Sequence, residues 1–267
     1  MHTKYGRAPF ARALAALGLI LLPTLSLAAS GTALGVRQDA ELVSANATKV
    51  LTVGADVFIG DKVVTGTSGQ VQIKFSDKTE LVVGPNSALT IEDYLLRDDN
   101  SAGKFAIKAL SGTFRFATGL APKDRYLIET PTGTIGVRGT AFDFTVGAEG
   151  TRVLLFHGAV ELCNLASSCV TLEDICEVGA FDLGQSGTFG IADNLGGAER
   201  KDLKGSFKYA QSQSPLLREF WVPNARECFN KGFVAGDVPE SLMPVGDGLP
   251  PPPDGCWYDS HGHVVCN

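Results

Sequence analysis

The side chains able to carry a reaction are few in this 267-residue chain, and their spacing argues against most reactions. Of four histidines, His2 stands at the extreme N-terminus, His157 lies between Phe156 and Gly158 in an apolar run, and His261 and His263 fall in a polar turn near the C-terminus. A general base needs a nucleophile and an orienting group beside it, so a lone histidine such as His157 is expected to be structural. The nucleophile elbow G-x-S-x-G is absent, since "GQSG" at 184–187 lacks its spacing. Asp61, Asp77, Glu80, Glu92 and Asp93 gather in one stretch. The adjacent Glu92-Asp93 could hydrolyse a glycoside only if paired across a cleft, and neighbouring strand residues face opposite ways. "DDNS" at 98–101 lacks the alternating ligands of a calcium loop and reads as solvated loop. No catalytic residue, metal site or cofactor is therefore expected.

The cysteines point to a different chemistry. Cys163, Cys169, Cys176, Cys228, Cys256 and Cys266 all follow residue 160, form no C-x-x-C pair, and read as disulfide partners instead of zinc ligands. Their spacing favours one local link among Cys163, Cys169 and Cys176, a second closing "CWYDSHGHVVC" at 256–266, and a longer-range partner for Cys228. Such a set belongs in an oxidising compartment. The N-terminus agrees: Lys4, Arg7 and Arg12 precede an apolar run from Ala13 to Leu27, and Ser26-Leu27-Ala28 offers small residues for cleavage. Residues 1–28 are read as a bacterial Sec-type signal peptide, with Ala29 the mature start and a periplasmic or secreted product. An uncleaved anchor would need about 20 apolar residues, and Pro23 interrupts a shorter run. Removing the leader takes away three basic and no acidic side chains, moving the formal charge from −6 to −9. An acidic chain without a basic run is a poor binder of nucleic acid, and no second apolar segment reaches membrane-spanning length.

The elements that position these residues are strands. "VQIKF" at 71–75 alternates Val71, Ile73 and Phe75 with Gln72 and Lys74, the period-two pattern of a half-buried strand. "ELVV", "ALTIEDYLL", "KFAIKAL", "SGTFRFATG", "DRYLIET", "TAFDFTV" and "RVLLFHGAVELC" continue it, divided by turns such as "SDKT", "GPNS" and "GAEGT". The fold class expected is all-β: one roll or sandwich, or a solenoid-like domain, of short strands over 36–176. The solenoid alternative comes from an echo between "VVTGTSGQVQIKF" and "IETPTGTIGVRGTAF". Residues 177–267 are expected to form an irregular, disulfide-bearing extension. It holds a glycine-rich loop with one more strand at "CEVGAFDL", a short helix within 214–233 broken by Pro223, and an extended proline run at 238–254.

Within the β region, "ETPTGTIGVRGTAFDFTV" at 129–146 combines chain-bending residues with strand formers. Gly133, Gly136 and Gly139 recur every three residues, so at least one can take positive φ and a neighbouring strand can approach closely. The threonines keep β preference and Pro131 fixes a kink. The segment is read as a strand corner, with Arg138 facing solvent or a buried carboxylate, Glu129 and Asp143 being nearest in sequence.

This stretch resembles the signature of the FecR domain, a T-P-x-(A/G)-x-x-G-V-R-G-T-x-F core followed by two strands, here ending in "RVLLFHGAVEL". The upstream "GADVFIGDKVVTGTSGQVQIKFSDKTELVVGPNSALTI" is similar to the same domain's opening half, so the likeness covers about 50–163. The resemblance implies a non-catalytic periplasmic domain that contacts another protein or receives a signal. Its partner would be an envelope protein such as a membrane sensor or transporter. The chain departs from the regulatory plan of the namesake in showing no cytoplasmic part and no retained membrane helix. The contact role falls on Thr130, Pro131, Gly133, Gly136, Arg138, Gly139 and Thr140. A carbohydrate-binding or polysaccharide-associated module is the alternative, although both tryptophans, Trp221 and Trp257, lie outside the β region.

Overall fold

The computed structural model describes His2 and residues 29–45, 47–96, 102–120, 125–223, 225–229, 256–258 and 264–266. The expected leader, the "DDNS" loop, the proline run, His261 and His263 lie outside the described residues. Cys256–Tyr258 pairs antiparallel with Val264–Cys266, placing Cys256 opposite Cys266 in register. Among the described residues no helix is long and apolar enough to cross a membrane.

The fold is all-β, built on one open sheet. Its strands are Gly31–Arg37 (β1), Ala40–Ser44 (β2), Ala47–Val50 (β3), Asp56–Val57 (β4), Lys62–Thr65 (β5), Gln70–Phe75 (β6), Glu80–Val83 (β7) and Ala88–Leu96 (β8). Ala102–Ala117 (β9), Tyr126–Thr130 (β10), Gly133–Gly147 (β11), Gly150–Asn164 (β12), Cys169–Leu172 (β13), Glu177–Phe181 (β14) and Ser186–Ile191 (β15) complete it. The sheet thus runs past both ends of 36–176. Three strands are long where short ones were expected: β9 joins "KFAIKAL" to "SGTFRFATG", and β11 runs straight through the glycine-rich signature. Backbone bends let one strand serve two layers. The first half of β9 pairs with β8 and, in parallel, with β10, while its second half pairs with β7 and β11. The bend falls near Gly112, whose φ of 116° suits glycine.

The solenoid-like alternative does not describe this topology. Among the described residues only β9 and β10 pair in parallel, and the echoed segments differ: β10 and β11 form a hairpin, whereas β5 pairs with β2 and β8 and β6 with β1 and β7. The sheet instead rolls around an aromatic core. Phe105 meets Phe75 edge-on at 4.8 Å, and Phe114 stacks on Phe144 at the same centroid distance. Their burial supplies the main stabilising term, since each large aromatic removes 150–250 Å² or about that from water.

The extension differs from expectation in its elements. The strand expected at "CEVGAFDL" is present as β14, whereas the glycine-rich stretch after it, expected as loop, adds β15 and a helix, Gly197–Ser206 (α1), and a second short helix spans Lys208–Gln211 (α2). The "AERKDLK" run holds good helix formers, and Leu203 buries the helix against the sheet. Over the described residues 214–223 and 225–229 the expected helix is replaced by turns, short extended links and two 3-10 turns, Arg218–Phe220 and Glu227–Phe229. Side chains decide this: the Leu217 amide donates to Gln72 Oε1 at 2.7 Å and the Val222 amide to Gln213 Oε1 at 2.7 Å, bonds a helix would forgo. Together these segments cover the second face of the β6–β7–β9–β11–β12 layer. Leu203, Phe207, Ala210, Val222 and Phe229 pack on Leu154, Phe156 and Val178.

Two of the cysteine links are present: Cys163–Cys169 within the β12–β13 hairpin and Cys176–Cys228 across 52 positions. The second ties the start of β14 to the covering layer.

Candidate functional site

The signature corner is built by glycines and hydroxyls. Gly139 takes φ 68° and Gly158, nearby on β12, takes φ 84°, and the β11–β12 register shifts between Arg138 and Phe142. A Cβ on Gly158 would overlap the Gly139 carbonyl oxygen and crowd Thr140. Thr140, wholly buried, latches the bulge in three directions. Its hydroxyl donates to the His157 carbonyl, its amide donates to Thr118 Oγ1 at 3.0 Å, and its carbonyl accepts the Thr118 amide at 3.0 Å. At the hairpin end, Gly133 lies so close to β12 that a Cβ would overlap the Cys163 carbonyl. Buried Thr130 donates to the Gly133 carbonyl at 3.1 Å and accepts from Thr151 at 3.1 Å. Pro131 is exposed in the connecting turn.

Arg138 points outward, 61% exposed, and its partner is Glu161 at 3.7 Å, not Glu129 or Asp143. Asp143 belongs instead to Arg115, a pair the sequence reading missed. Arg115 Nε donates to Asp143 Oδ1 at 2.6 Å and Nη2 to Oδ2 at 3.0 Å, with side chains 2% and 0% exposed. Nη1 donates to Gln213 Oε1, and the guanidinium carbon lies 5.1 Å from the Phe156 ring centroid. Burial pushes the Asp143 carboxyl above its ordinary value, against the pull of Arg115. The signal was present in the residues: "FRF" and "FDF" each set one charge between two phenylalanines, and the register pairs Phe116 with Phe142, Arg115 with Asp143 and Phe114 with Phe144.

The upstream carboxylates also serve the scaffold. Asp77, wholly buried, accepts from Tyr126 at 2.8 Å, from the Thr79 hydroxyl at 2.7 Å, from the Thr79 amide at 3.1 Å and from Tyr94 at 3.3 Å. Burial and the neighbouring Asp77 push the Tyr94 hydroxyl well above the usual phenol range. Asp61 closes its turn by accepting the Phe58 amide at 2.9 Å and the Ser44 hydroxyl at 2.5 Å. Glu80 pairs with Lys74 at 3.1 Å and Asp93 with Lys104 at 2.8 Å. The His157 side chain is exposed, and partial burial lowers its pKa. Among the described residues no group of three His, Cys, Asp or Glu is placed to hold a metal ion. The rings of Phe75, Tyr94, Phe105, Phe114, Phe116, Tyr126, Phe142 and Phe144 are all buried, so none offers a sugar-stacking platform.

Of the signature residues, then, Thr130, Gly133, Gly139 and Thr140 hold the corner, and Pro131 and Arg138 reach solvent. Gly136 differs from both groups. Its φ is not in the left-handed region, and a Cβ there would make only ordinary contact, 3.8 Å from Glu161 Cβ. It lies on a shallow groove with Lys104, Arg125, Leu127, Arg138 and Glu161.

Residues 61–161 match the family described as FecR protein. The chain carries a FecR domain. The matched residues run from Asp61 through the signature to Glu161 and end before β13, so the covering layer lies outside them. No curated protein matches the chain significantly. Two crystal structures of a candidate anti-sigma factor from Parabacteroides distasonis are similar to it at 14% identity, with TM-scores of 0.39 and 0.40. The alignments cover 48% and 55% of this chain. The chain spans 57% of the length of the first and 74% of the second.

Proposed function

We propose that this protein is an exported, non-catalytic FecR domain that acts by contacting another protein of the cell envelope, as part of a signalling or regulatory assembly. One observation supports this most directly. The FecR signature spends its threonines and most of its glycines on fixing a bent sheet, and the one charged side chain that it leaves in solvent is Arg138, beside a groove on a rigid face. A surface of this kind suits recognition: the contacting group is held on strands whose bend is locked by backbone bonds, so little ordering is needed on binding. Asp77, Asp143 and Arg115, which could have been catalytic by type, are buried and engaged by internal partners. The two disulfides accord with export to an oxidising compartment.

The test is cross-linking of the full chain in intact bacterial envelopes, with photo-reactive side chains placed at Leu127 or Pro131. Capture of one dominant envelope protein is the expected result. A purified chain that turns over a substrate, with the turnover lost in Arg138→Ala while the fold persists, would overturn the reading.

A further inference from the structure

The two disulfides lie in opposite surroundings. Cys176 is 5% exposed and Cys228 wholly buried, both within the apolar cluster beneath the covering layer. Cys163 is half-buried and Cys169 exposed, and they face each other at the turn end of the β12–β13 ladder. Thiol–disulfide exchange requires a thiolate to reach one sulfur of the bond. An exposed pair can be attacked in the folded protein, whereas a buried pair must first be uncovered. The whole stretch from Leu165 to Cys169 is exposed, which leaves room for a macromolecular thiol. The exposed link is also the shorter, spanning 6 positions against 52. Its loss releases less chain entropy in the unfolded state, so the fold can persist without it.

What the short link clamps is the near end of β13. Of Cys169–Leu172 only Leu172 is buried, and it fills the space that Gly179 leaves on β14, where a Cβ would come within 2.8 Å of Leu172 Cδ2. The far end of β13 is therefore anchored in the core independently of the sulfur bond. The near end leads into the turn, where the Asn164 amide donates to the Ser168 carbonyl and the Ser168 amide to Asn164 Oδ1, both at 2.9 Å. This turn touches the FecR signature. The Leu165 amide donates to the Thr132 carbonyl at 3.2 Å, and the β11–β12 register sets Gly133 opposite Asn164 and Thr134 opposite Cys163.

We propose that Cys163–Cys169 is a site of thiol–disulfide exchange on the folded protein, and that its partner is a dithiol oxidoreductase carrying a C-x-x-C pair. A thiolate of that pair attacks Cys169 Sγ, the S–S bond breaks, and its electrons leave with Cys163 as a thiolate that takes a proton from solvent. The second thiolate of the oxidoreductase attacks the mixed disulfide and frees Cys169, which is protonated in turn. The hairpin gains two electrons and two protons, and the C-x-x-C pair becomes a disulfide. Opening loosens the 165–168 turn and slackens its bond to Thr132, so the redox state of the pair is felt at the signature hairpin.

The experiment incubates the full oxidised chain, without denaturant, with reduced thioredoxin or with dithiothreitol at equal thiol concentration. Free thiols are trapped with iodoacetamide over time, and peptide mass mapping assigns each alkylated cysteine. Cys163 and Cys169 are expected to be alkylated about tenfold or more faster than Cys176 and Cys228, and thioredoxin is expected to outpace dithiothreitol by a similar factor. Hydrogen exchange of the reduced chain should show the Leu165 and Ser168 amides losing about tenfold or more in protection, with the β9–β11 ladder unchanged. Cys163→Ser with Cys169→Ser should reproduce that pattern without reductant. Opening of Cys176–Cys228 first or at the same rate overturns the proposal, as does opening that begins only in denaturant. No advantage of thioredoxin over dithiothreitol removes the oxidoreductase. Unchanged protection at Leu165 and Ser168, or a double-serine chain that does not fold, overturns the coupling to the signature on an intact scaffold.

Discussion

At the scale of residues, the signature's glycines divide by what surrounds them. Gly158 has positive φ and faces the Gly139 carbonyl, so Gly158→Ala forces both a left-handed side chain and a steric overlap. It is expected to destabilise the fold by about 2 kcal/mol or more, whereas Gly136→Ala is expected to be neutral or to stabilise by roughly 0.5 kcal/mol, measured by urea unfolding. A small effect at Gly158 would mean that the bulge relaxes easily. The Arg115–Asp143 pair follows another rule, because removing one partner leaves a buried charge uncompensated. Arg115→Met alone is expected to cost about 3–5 kcal/mol, while Arg115→Met with Asp143→Leu recovers most of it. Near-additive losses in that double-mutant cycle would show that the two side chains act independently.

At the scale of elements, the two disulfides close loops of very different length. Serine at Cys176 and Cys228 releases a link across 52 positions and is expected to cost roughly 4 kcal/mol, against roughly 2 kcal/mol for the Cys163–Cys169 link. Thermal melts of the two variants compare them, and equal losses would contradict the loop-length argument. The turn joining β14 to β15 has a pH dependence of its own. The amides of Gly184 and Gln185 donate to Asp182 Oδ1 at 2.7 and 2.8 Å and hold that carboxyl below its usual value. A depressed folded pKa means that the stabilisation is complete above the unfolded value of about 3.9 and is lost as pH falls from there through the folded value. Hydrogen-exchange protection of the two amides should drop across that acid window, and Asp182→Asn should remove the dependence. Protection that stays level on acidification would show that the carboxylate does not hold the turn.

At the scale of the whole molecule, the FecR match ends at 161 and the chain supplies its own cover for the layer's second face. The cover reads the sheet through polar contacts: Tyr209 donates to Gln70 at 3.0 Å, Gln70 donates to the Pro215 carbonyl at 3.1 Å, and Lys74 meets Glu219 at 2.8 Å. Ending the chain after Ile191 uncovers Leu154, Phe156, Val178 and Arg115, so the truncated protein is expected to bind hydrophobic dye and to self-associate. A truncated monomer that melts like the full chain would show that the cover is dispensable. Much of the rest was written along the chain. Alternation in "VQIKF", "ELVV" and "ALTIEDYLL" set those strands, because which face a strand side chain takes depends only on its position in the strand. The cysteine spacing suggested the local link, and the Thr/Gly run marked the corner through φ requirements that are local to the backbone. What the sequence could not settle were choices made between distant segments. Whether 214–222 coils or stretches depends on Gln72 and Gln213 competing for its amides. Whether Arg138 or Arg115 meets Asp143 depends on which strand lies beside β11, and that is fixed only when the sheet closes around its core.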